Sequence, residues 1–79
     1  MMLEISMAKQ TGYFEVRFMG RHFIMDTFEL LYFLPLAVFG LGPSRAQALI
    51  DKVKEKGTVL QEVGVKFETI PAIYMRTQI

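Results

Sequence analysis

Residues 13–26 read YFEVRFMGRHFIMD, and this stretch establishes the first part of the architecture. Apolar and polar residues alternate on both sides of a glycine, which is typical of two β-strands that each bury one face. Gly20-Arg21 fits a two-residue hairpin loop with glycine in the first position. That loop would set Phe18 opposite Phe23 and Met19 opposite His22. The stretch therefore predicts a β-hairpin with an apolar face and a mixed face.

The residues before this hairpin predict a third strand in front of it. Leu3, Ile5 and Met7 alternate with less apolar neighbours, and the four residues 9–12 form a turn that ends in glycine. Pairing across this turn would set Ile5 opposite Val16 and Glu4 opposite Arg17. One register thus satisfies both the apolar face and a charge pair, so we expect a three-stranded antiparallel meander over residues 1–26.

A helix is predicted to begin at Asp26. Asp26 and Glu29 have capping-box spacing, and Met25 and Leu30 stand at the positions of a hydrophobic staple. Residues 28–34 are apolar nearly all round, so we expect this helix to be buried on several sides. Pro35 disfavours helical geometry in the residue before it and is expected to break or kink the helix there, with a second short turn over residues 35–39.

A second helix is predicted after Pro43, with Ser44 and Gln47 as its capping box and Gly57 as its stop. The apolar stripe of this helix consists of Ala46, Leu49, Ile50 and Val53. The tail returns to β-structure, where residues 63–67 alternate and a last candidate strand follows Pro71 over residues 72–77. We therefore expect one α+β domain over residues 1–79: an antiparallel β-sheet in the order βββ-α-α-ββ, with two helices packed on one face.

The apolar content is high for a chain of this size. Hydrophobic residues make up 52% of the 79, and the mean hydropathy is +0.30. A domain this small buries only about 60–65% of the surface of its unfolded chain. Some apolar side chains must therefore stay exposed, either scattered or gathered on a surface that binds a partner. The second interpretation predicts a protein partner or a homo-oligomer, with a dimer as the simplest form.

Composition limits the cell compartment and the classes of partner. The chain has no cysteine, and its N-terminus lacks the basic and apolar pattern of a secretory signal. The uncharged run over residues 30–44 is interrupted by prolines and glycines and is too short to span a membrane. These features predict a soluble, cytoplasmic protein. A net charge of +1 is too small for electrostatic attraction to dominate binding to nucleic acid. It is also far from the strongly negative charge of a protein that mimics DNA.

Few side chains are suited to catalysis. A Ser-His-Asp site would have to combine Ser44 or Ser6 with His22 and with Asp26 or Asp51. Ser44 fits a helix cap better, and His22 falls beside a tight turn on the solvent side of the sheet. No nucleophile–base–orienter pattern and no metal-ligand spacing stands out. The sequence predicts neither an enzyme nor a cofactor or metal site.

One local pattern resembles a known motif. From Gly40 onward, the sequence GLGPSRAQALI resembles the helix-hairpin-helix motif, which has Gly–apolar–Gly, then three residues, alanine and an apolar pair. In that family the backbone amides of the hairpin hold a DNA phosphate without reading sequence. The resemblance implies that the phosphate is contacted by Gly40, Gly42, Ser44 and Arg45. Lys52 and Lys56 would give additional support from further along the helix. Glycines that only form a tight turn between two helices are the alternative.

The solvent side of the sheet is the second candidate surface. Aromatic, arginine and methionine side chains gather on it, as protein interfaces favour. Its predicted residues are Tyr13, Arg17, Met19, His22 and Ile24, joined by Tyr74 and Arg76 from the last strand. Stacking of single-stranded bases and an ordinary half-exposed sheet are alternatives, and protein contact is preferred.

In size and economy the chain resembles the small inhibitor and adaptor proteins of bacteriophages, including anti-CRISPR proteins. Members of that class block a target by steric occupation. The resemblance implies a protein-interaction module that covers a site on a host complex, and non-specific binding of the DNA backbone through the hairpin is the alternative function.

Overall fold

A computed structural model describes residues 1–66 of the chain. The elements in chain order are strands β1 (Met2–Met7), β2 (Tyr13–Phe18) and β3 (Arg21–Asp26), helix α1 (Thr27–Ala37), strand β4 (Val38–Phe39), helix α2 (Pro43–Lys56), and strands β5 (Thr58–Glu62) and β6 (Gly64–Val65). Four strands form an antiparallel sheet in the order β3-β2-β1-β5, and β4 pairs with β6 in a small second sheet. The predicted α+β class is confirmed.

The pairing of β1 with β2 follows the predicted register. Glu4 lies opposite Arg17, and Ile5 lies opposite Val16. The turn over residues 9–12 is closed by a hydrogen bond of 3.0 Å from the Ala8 amide to the Tyr13 carbonyl. A charge pair and an apolar pair agree on one register here, and a slip by one residue would turn every buried side chain to solvent.

The register of β2 with β3 differs from the prediction by two residues. Val16 lies opposite Phe23, and Phe18 lies opposite Arg21, so the prediction that Phe18 faces Phe23 is wrong. The loop consists of Met19 and Gly20, with φ of 55° and 71°. A two-residue loop with both φ values positive matches the right-handed twist of the flanking strands. This match explains why Met19 and Gly20, rather than Gly20 and Arg21, form the loop. A shift of two residues keeps every side chain on its predicted face.

Helix α1 has the predicted capping box. The Glu29 amide donates to Oδ1 of Asp26 at 2.8 Å, and the Asp26 amide donates to Oε1 of Glu29 at 3.1 Å. The expected break at Pro35 is wrong, because α1 continues to Ala37. The second short turn expected over residues 35–39 is also wrong, since β4 follows α1 directly. The alternative of a kink at Pro35 stays a prediction. Leu34 and Ala37 are fully buried on either side of Pro35, and this packing offsets the missing backbone donor.

Lys66 completes the C-terminal end of α1, which has no basic residue of its own in the last turn. The Lys66 amide donates to the Ala37 carbonyl, and its Nζ donates to the Pro35 carbonyl, both at 2.9 Å. The last carbonyls of a helix have no partner within it and carry partial negative charge, so an ammonium group is favourable there.

The N-terminus of α2 also departs from the prediction. Gly42 is the N-cap, Pro43 occupies the first helical position, and no side chain caps the helix. The proposed capping box of Ser44 and Gln47 is therefore wrong. Proline at the first position already fixes the helical φ and lacks an amide that would need a partner, so the helix begins two residues earlier than expected.

The core lies between one face of the four-stranded sheet and the two helices. Phe33 of α1 joins them, since its ring centroid lies 5.9 Å from that of Phe18 and 6.1 Å from that of Phe23. The predicted apolar stripe of α2 is buried as expected. The fully or nearly fully buried residues are Leu3, Ile5, Phe14, Val16, Phe18, Phe23, Met25, Leu30, Phe33, Leu34, Ala37, Val38, Leu41, Ala46, Leu49, Ile50 and Val53.

The tail after Gly57 divides between the two sheets. β5 joins the edge of the main sheet beside β1, and β6 pairs with β4, with Gly64 opposite Phe39. A Cβ on Gly64 would lie 3.3 Å from the Phe39 ring, so this close pairing favours glycine. The predicted strand over residues 72–77 lies outside the described residues. Among residues 1–66, no helix has the length and apolar character needed to cross a membrane.

Candidate protein-binding surface

The solvent side of the main sheet carries one continuous cross-strand row. Leu60 lies opposite Glu4, Glu4 lies opposite Arg17, and Arg17 lies opposite His22. We call these four residues the outer row; it runs across all four strands in the order β5-β1-β2-β3. Directly opposed side chains in an antiparallel sheet are neighbours, so the row presents a leucine, a carboxylate, a guanidinium and an imidazole side by side.

His22 lies in the row with one ring nitrogen free of hydrogen bonds. Its side chain is 26% exposed, and Nε2 lies 4.0 Å from Oε2 of Glu15. Within the part of the chain that the structure describes, this buried Nε2 has no hydrogen-bond partner. The position beside the hairpin turn is the one the sequence predicted. Because this nitrogen is closed to solvent, a docked molecule would meet the exposed part of the imidazole ring rather than Nε2.

A shallow cleft of about 420 Å³ opens along the outer row. We call it the sheet cleft. Large apolar side chains at its border are open to solvent: Met2 is 52% exposed and Leu60 is 62% exposed. The lining residues are Met1, Met2, Glu4, Arg17, Phe18, Met19, Gly20, Arg21, His22 and Leu60.

Three of the five described residues predicted for this surface lie near one another on the sheet. Arg17 and His22 lie in the outer row, and Ile24 lies two residues further along β3, opposite Glu15. Tyr13 is at the far end of β2, opposite Asp26. Tyr74 and Arg76 lie outside the described residues.

Met19 is the exception among the predicted surface residues. It belongs to the hairpin loop rather than to β2, and it packs partly against the core while lining the end of the sheet cleft. Its predicted position opposite His22 is therefore wrong, because Arg17 lies there instead. The loop geometry that set the register of β2 with β3 also displaced Met19.

Leu60 and Met2 were missed by sequence reasoning. The sequence signal for Leu60 was the run Thr58-Val59-Leu60 after the helix stop at Gly57, which has strong β propensity. That run shows no alternation of apolar and polar residues, so its two faces could not be told apart before the pairing with β1 was seen.

The glycines of the other candidate surface form the link between the helices. Gly40 has φ of 76°, and its carbonyl accepts a hydrogen bond of 3.2 Å from Nη1 of Arg45. Gly42 has φ of −69° and serves as the N-cap of α2. The short strand β4 stands between α1 and these glycines. Arg45 thus closes the turn at the start of α2.

A second cleft of about 310 Å³ lies beside this turn. We call it the hairpin cleft. Gly40, Arg45 and Lys52 line it together with Glu62 of β5. Ser44 is exposed in the first turn of α2, and Lys56 is the last residue of that helix, about 20 Å away along a 14-residue helix. The predicted phosphate contacts therefore divide into a cluster at the turn and one distant lysine.

The residues considered for catalysis are spread over the molecule. Ser6 and His22 lie on different strands of the sheet, whereas Ser44 and Asp51 lie on α2. Asp26 is occupied as the N-cap of α1. Among residues 1–66, no three histidine, aspartate or glutamate side chains come together in a way that could hold a metal ion.

Comparison with known proteins finds no matching family model, no matching curated protein and no matching solved structure. The two clefts and the exposed side chains around them are therefore the features of the molecule that bear on its function.

Proposed function

We propose that this chain is a non-enzymatic protein-interaction module that binds a protein partner through the outer row and the sheet cleft. Its action is steric: the domain covers a site on a larger complex, in the manner of small phage-type inhibitors, including anti-CRISPR proteins. Within residues 1–66 the helices pack on the other face of the sheet, so docking on the solvent side requires no change in the core.

The proposal rests on one observation, the exposed apolar residues around Arg17. Leu60 and Met2 border the sheet cleft with more than half of each side chain open to solvent. Arginine and methionine are enriched in protein interfaces, and an arginine between apolar residues is a common energetic centre. Glu4 lies beside Arg17 and adds a negative charge, so a partner with complementary charges at both positions would be preferred.

The test replaces the centre of the surface without disturbing the core. We expect the double variant Arg17→Ala with Leu60→Lys to lose a partner captured from cells that naturally express the chain, with affinity falling at least about 30-fold. Both side chains are exposed, and lysine on the edge strand β5 lies opposite Glu4, so the fold tolerates the change. Circular dichroism of both proteins checks that the fold is kept.

A matched control makes the same chemical change on α2. Lys54→Ala with Ala48→Lys also removes one cation and introduces another at an exposed position. It should capture the same partner as the unmodified chain. Retention of the partner by the outer-row variant, or equal loss with the control, would contradict the proposal.

DNA-backbone binding at the hairpin cleft is a second candidate, favoured by the uncapped N-terminus of α2. The N-cap residue Gly42 makes no side-chain cap hydrogen bond, the first turn has no acidic residue, and Arg45 and Lys52 border the cleft. Free amides and nearby cations together suit a phosphate.

Fluorescence anisotropy with duplex DNA at low and high salt tests this second candidate. Arg45→Glu and Lys52→Glu should each weaken binding. Each should also reduce the slope of the logarithm of the binding constant against the logarithm of the salt concentration by about one. Lys54→Glu is the matched control, since it lies on another side of the same helix. Absence of binding at low salt, or an equal loss with Lys54→Glu, would exclude the hairpin cleft as a DNA site.

A further inference from the structure

Helix α1 carries a row of large, solvent-exposed apolar side chains outside the core that residues 1–66 form. Phe28 is 85% exposed, Tyr32 is 70% exposed and Leu36 is 39% exposed. Their spacing of four residues places them on one side of the helix, and we call them the α1 stripe. The opposite side of α1 is buried against the sheet and α2 through Leu30, Phe33, Leu34 and Ala37. The expectation that α1 is buried on several sides is therefore wrong.

The α1 stripe is large enough to matter as a surface. From the exposed fractions and the usual area of aromatic side chains, it presents about 400 Å² of mainly apolar surface. The neighbouring Phe39 is 63% exposed at the C-terminal end of α1, where Nζ of Lys66 lies 5.9 Å from its ring and binds the Pro35 carbonyl. The α1 stripe alone lies within the range of patches that serve as interaction sites.

We propose that the α1 stripe packs against the α1 stripe of a second copy of this chain. The two helices run antiparallel about a twofold axis that passes near Tyr32, the middle residue of the stripe. Phe28 of each copy then lies over Leu36 of the other, about 12 Å from its own copy's Leu36 along the helix. This surface is separate from the outer row, so the proposal does not depend on the proposed function.

A second copy fits the stripe better than a charged partner does. The stripe contains no charge, and the one acidic residue in the first turn, Glu29, already accepts from the Asp26 amide. A twofold interface uses the same patch on both sides, and an uncharged row is complementary to itself. Two stripes bury at most about 800 Å² in total, which is the size of a weak, transient interface rather than of a standard one. The dimer should be weak, with a dissociation constant in the micromolar range.

Sedimentation equilibrium of the full chain tests the dimer directly. Over about 5 µM to about 1 mM, the mean mass should rise from that of one copy towards that of two. Tyr32→Glu should weaken the association at least about 30-fold, because it places a carboxylate on the axis opposite its own equivalent. Ala48→Glu, at an exposed position of α2, is the matched control and should leave it unchanged. A monomer throughout, or a dimer unaffected by Tyr32→Glu, overturns the proposal.

Disulfide trapping tests the geometry, and the chain is suited to it because it contains no cysteine. Tyr32→Cys should form a covalent dimer on mild oxidation, well above the background set by the α2 control Gln47→Cys. Phe28→Cys alone should stay near that background but should link to Leu36→Cys when the two proteins are mixed. Self-linking of Phe28→Cys above that of Tyr32→Cys would contradict the antiparallel arrangement.

The dimer through the α1 stripe and partner binding through the outer row can be contradicted separately. The outer-row variant Arg17→Ala with Leu60→Lys should dimerise as the unmodified chain does. If the chain is monomeric and yet the outer-row variant loses its partner, the dimer is wrong and the proposed function stands.

Discussion

The two helices cover the same face of the sheet but differ on the side that meets water. Helix α2 buries Ala46, Ile50 and Val53 and turns lysines and other polar side chains outward, as an amphipathic surface helix does. Helix α1 is apolar on both sides and leaves Phe28 and Tyr32 open to solvent. Both helices satisfy the core, so the outward residues of α1 are not explained by folding. The comparison separates residues that hold the domain together from residues that are available for binding.

The largest expected effect comes from the buried side of α1. Phe33→Ala should lower the free energy of unfolding by about 3–5 kcal/mol, because it removes a buried aromatic ring and leaves a cavity between the helix and two strands. Denaturant unfolding followed by circular dichroism measures the change. A loss below about 1 kcal/mol would mean that Phe33 does not join the helix to the sheet.

The N-terminal cap of α1 is a side chain, whereas that of α2 is not, and changes at these caps should have a smaller effect on the free energy of unfolding. Asp26→Ala should cost about 1 kcal/mol, because it removes the side-chain half of a reciprocal cap. Asp26→Asn keeps an acceptor oxygen and is the control, with a smaller loss expected. Equal losses in the two variants would indicate that the charge of Asp26 matters more than its hydrogen bond to the Glu29 amide.

The cap of α2 should respond in the opposite direction. Gly42→Ser should raise the free energy of unfolding by a few tenths of a kcal/mol, because Gly42 supplies no side-chain acceptor to α2 and serine would supply one. Its φ is negative and its Cβ would meet no atom within 4 Å, so serine fits without strain. A loss of stability in thermal unfolding would contradict this account of the turn.

The smallest expected effect is on the exposed side of α1. Phe28→Gln should change the free energy of unfolding by less than about 0.5 kcal/mol when it is measured at low protein concentration. The side chain is 85% exposed, and glutamine suits a helix at least as well as phenylalanine. A loss above about 1.5 kcal/mol would show that Phe28 contributes to the core of its own chain, and the contrast with Phe33 would disappear.

The sequence could predict the parts of the fold in which two kinds of information agree. The register of β1 with β2 follows from alternation and from the pair of Glu4 with Arg17. The register of β2 with β3 could not be decided in this way, because a shift of two residues preserves both faces. The choice between Met19-Gly20 and Gly20-Arg21 as the loop depended on backbone conformation rather than on pattern.

The candidate surfaces were predictable only in part, and the reason is periodicity. Alternation placed Arg17, His22 and Ile24 on the solvent side of the sheet, where the structure has them. A helix that is apolar all round has no marked side, so the sequence could not show that Phe28 would be exposed. A two-residue strand such as β4 has no pattern of its own, and only its pairing with β6 reveals it.

Site-specific photo-crosslinking in the cells that naturally express the chain tests the central claim, that the solvent side of the sheet binds a protein. A photoreactive amino acid in place of Leu60 or Ile24 should give one discrete adduct, heavier than the chain by the mass of a single partner. The same amino acid in place of Gln47 on α2 should give none, and in place of Tyr32 it should give a covalent dimer. Adducts from Gln47 equal to those from Leu60, or none from Leu60 and Ile24, would contradict the account.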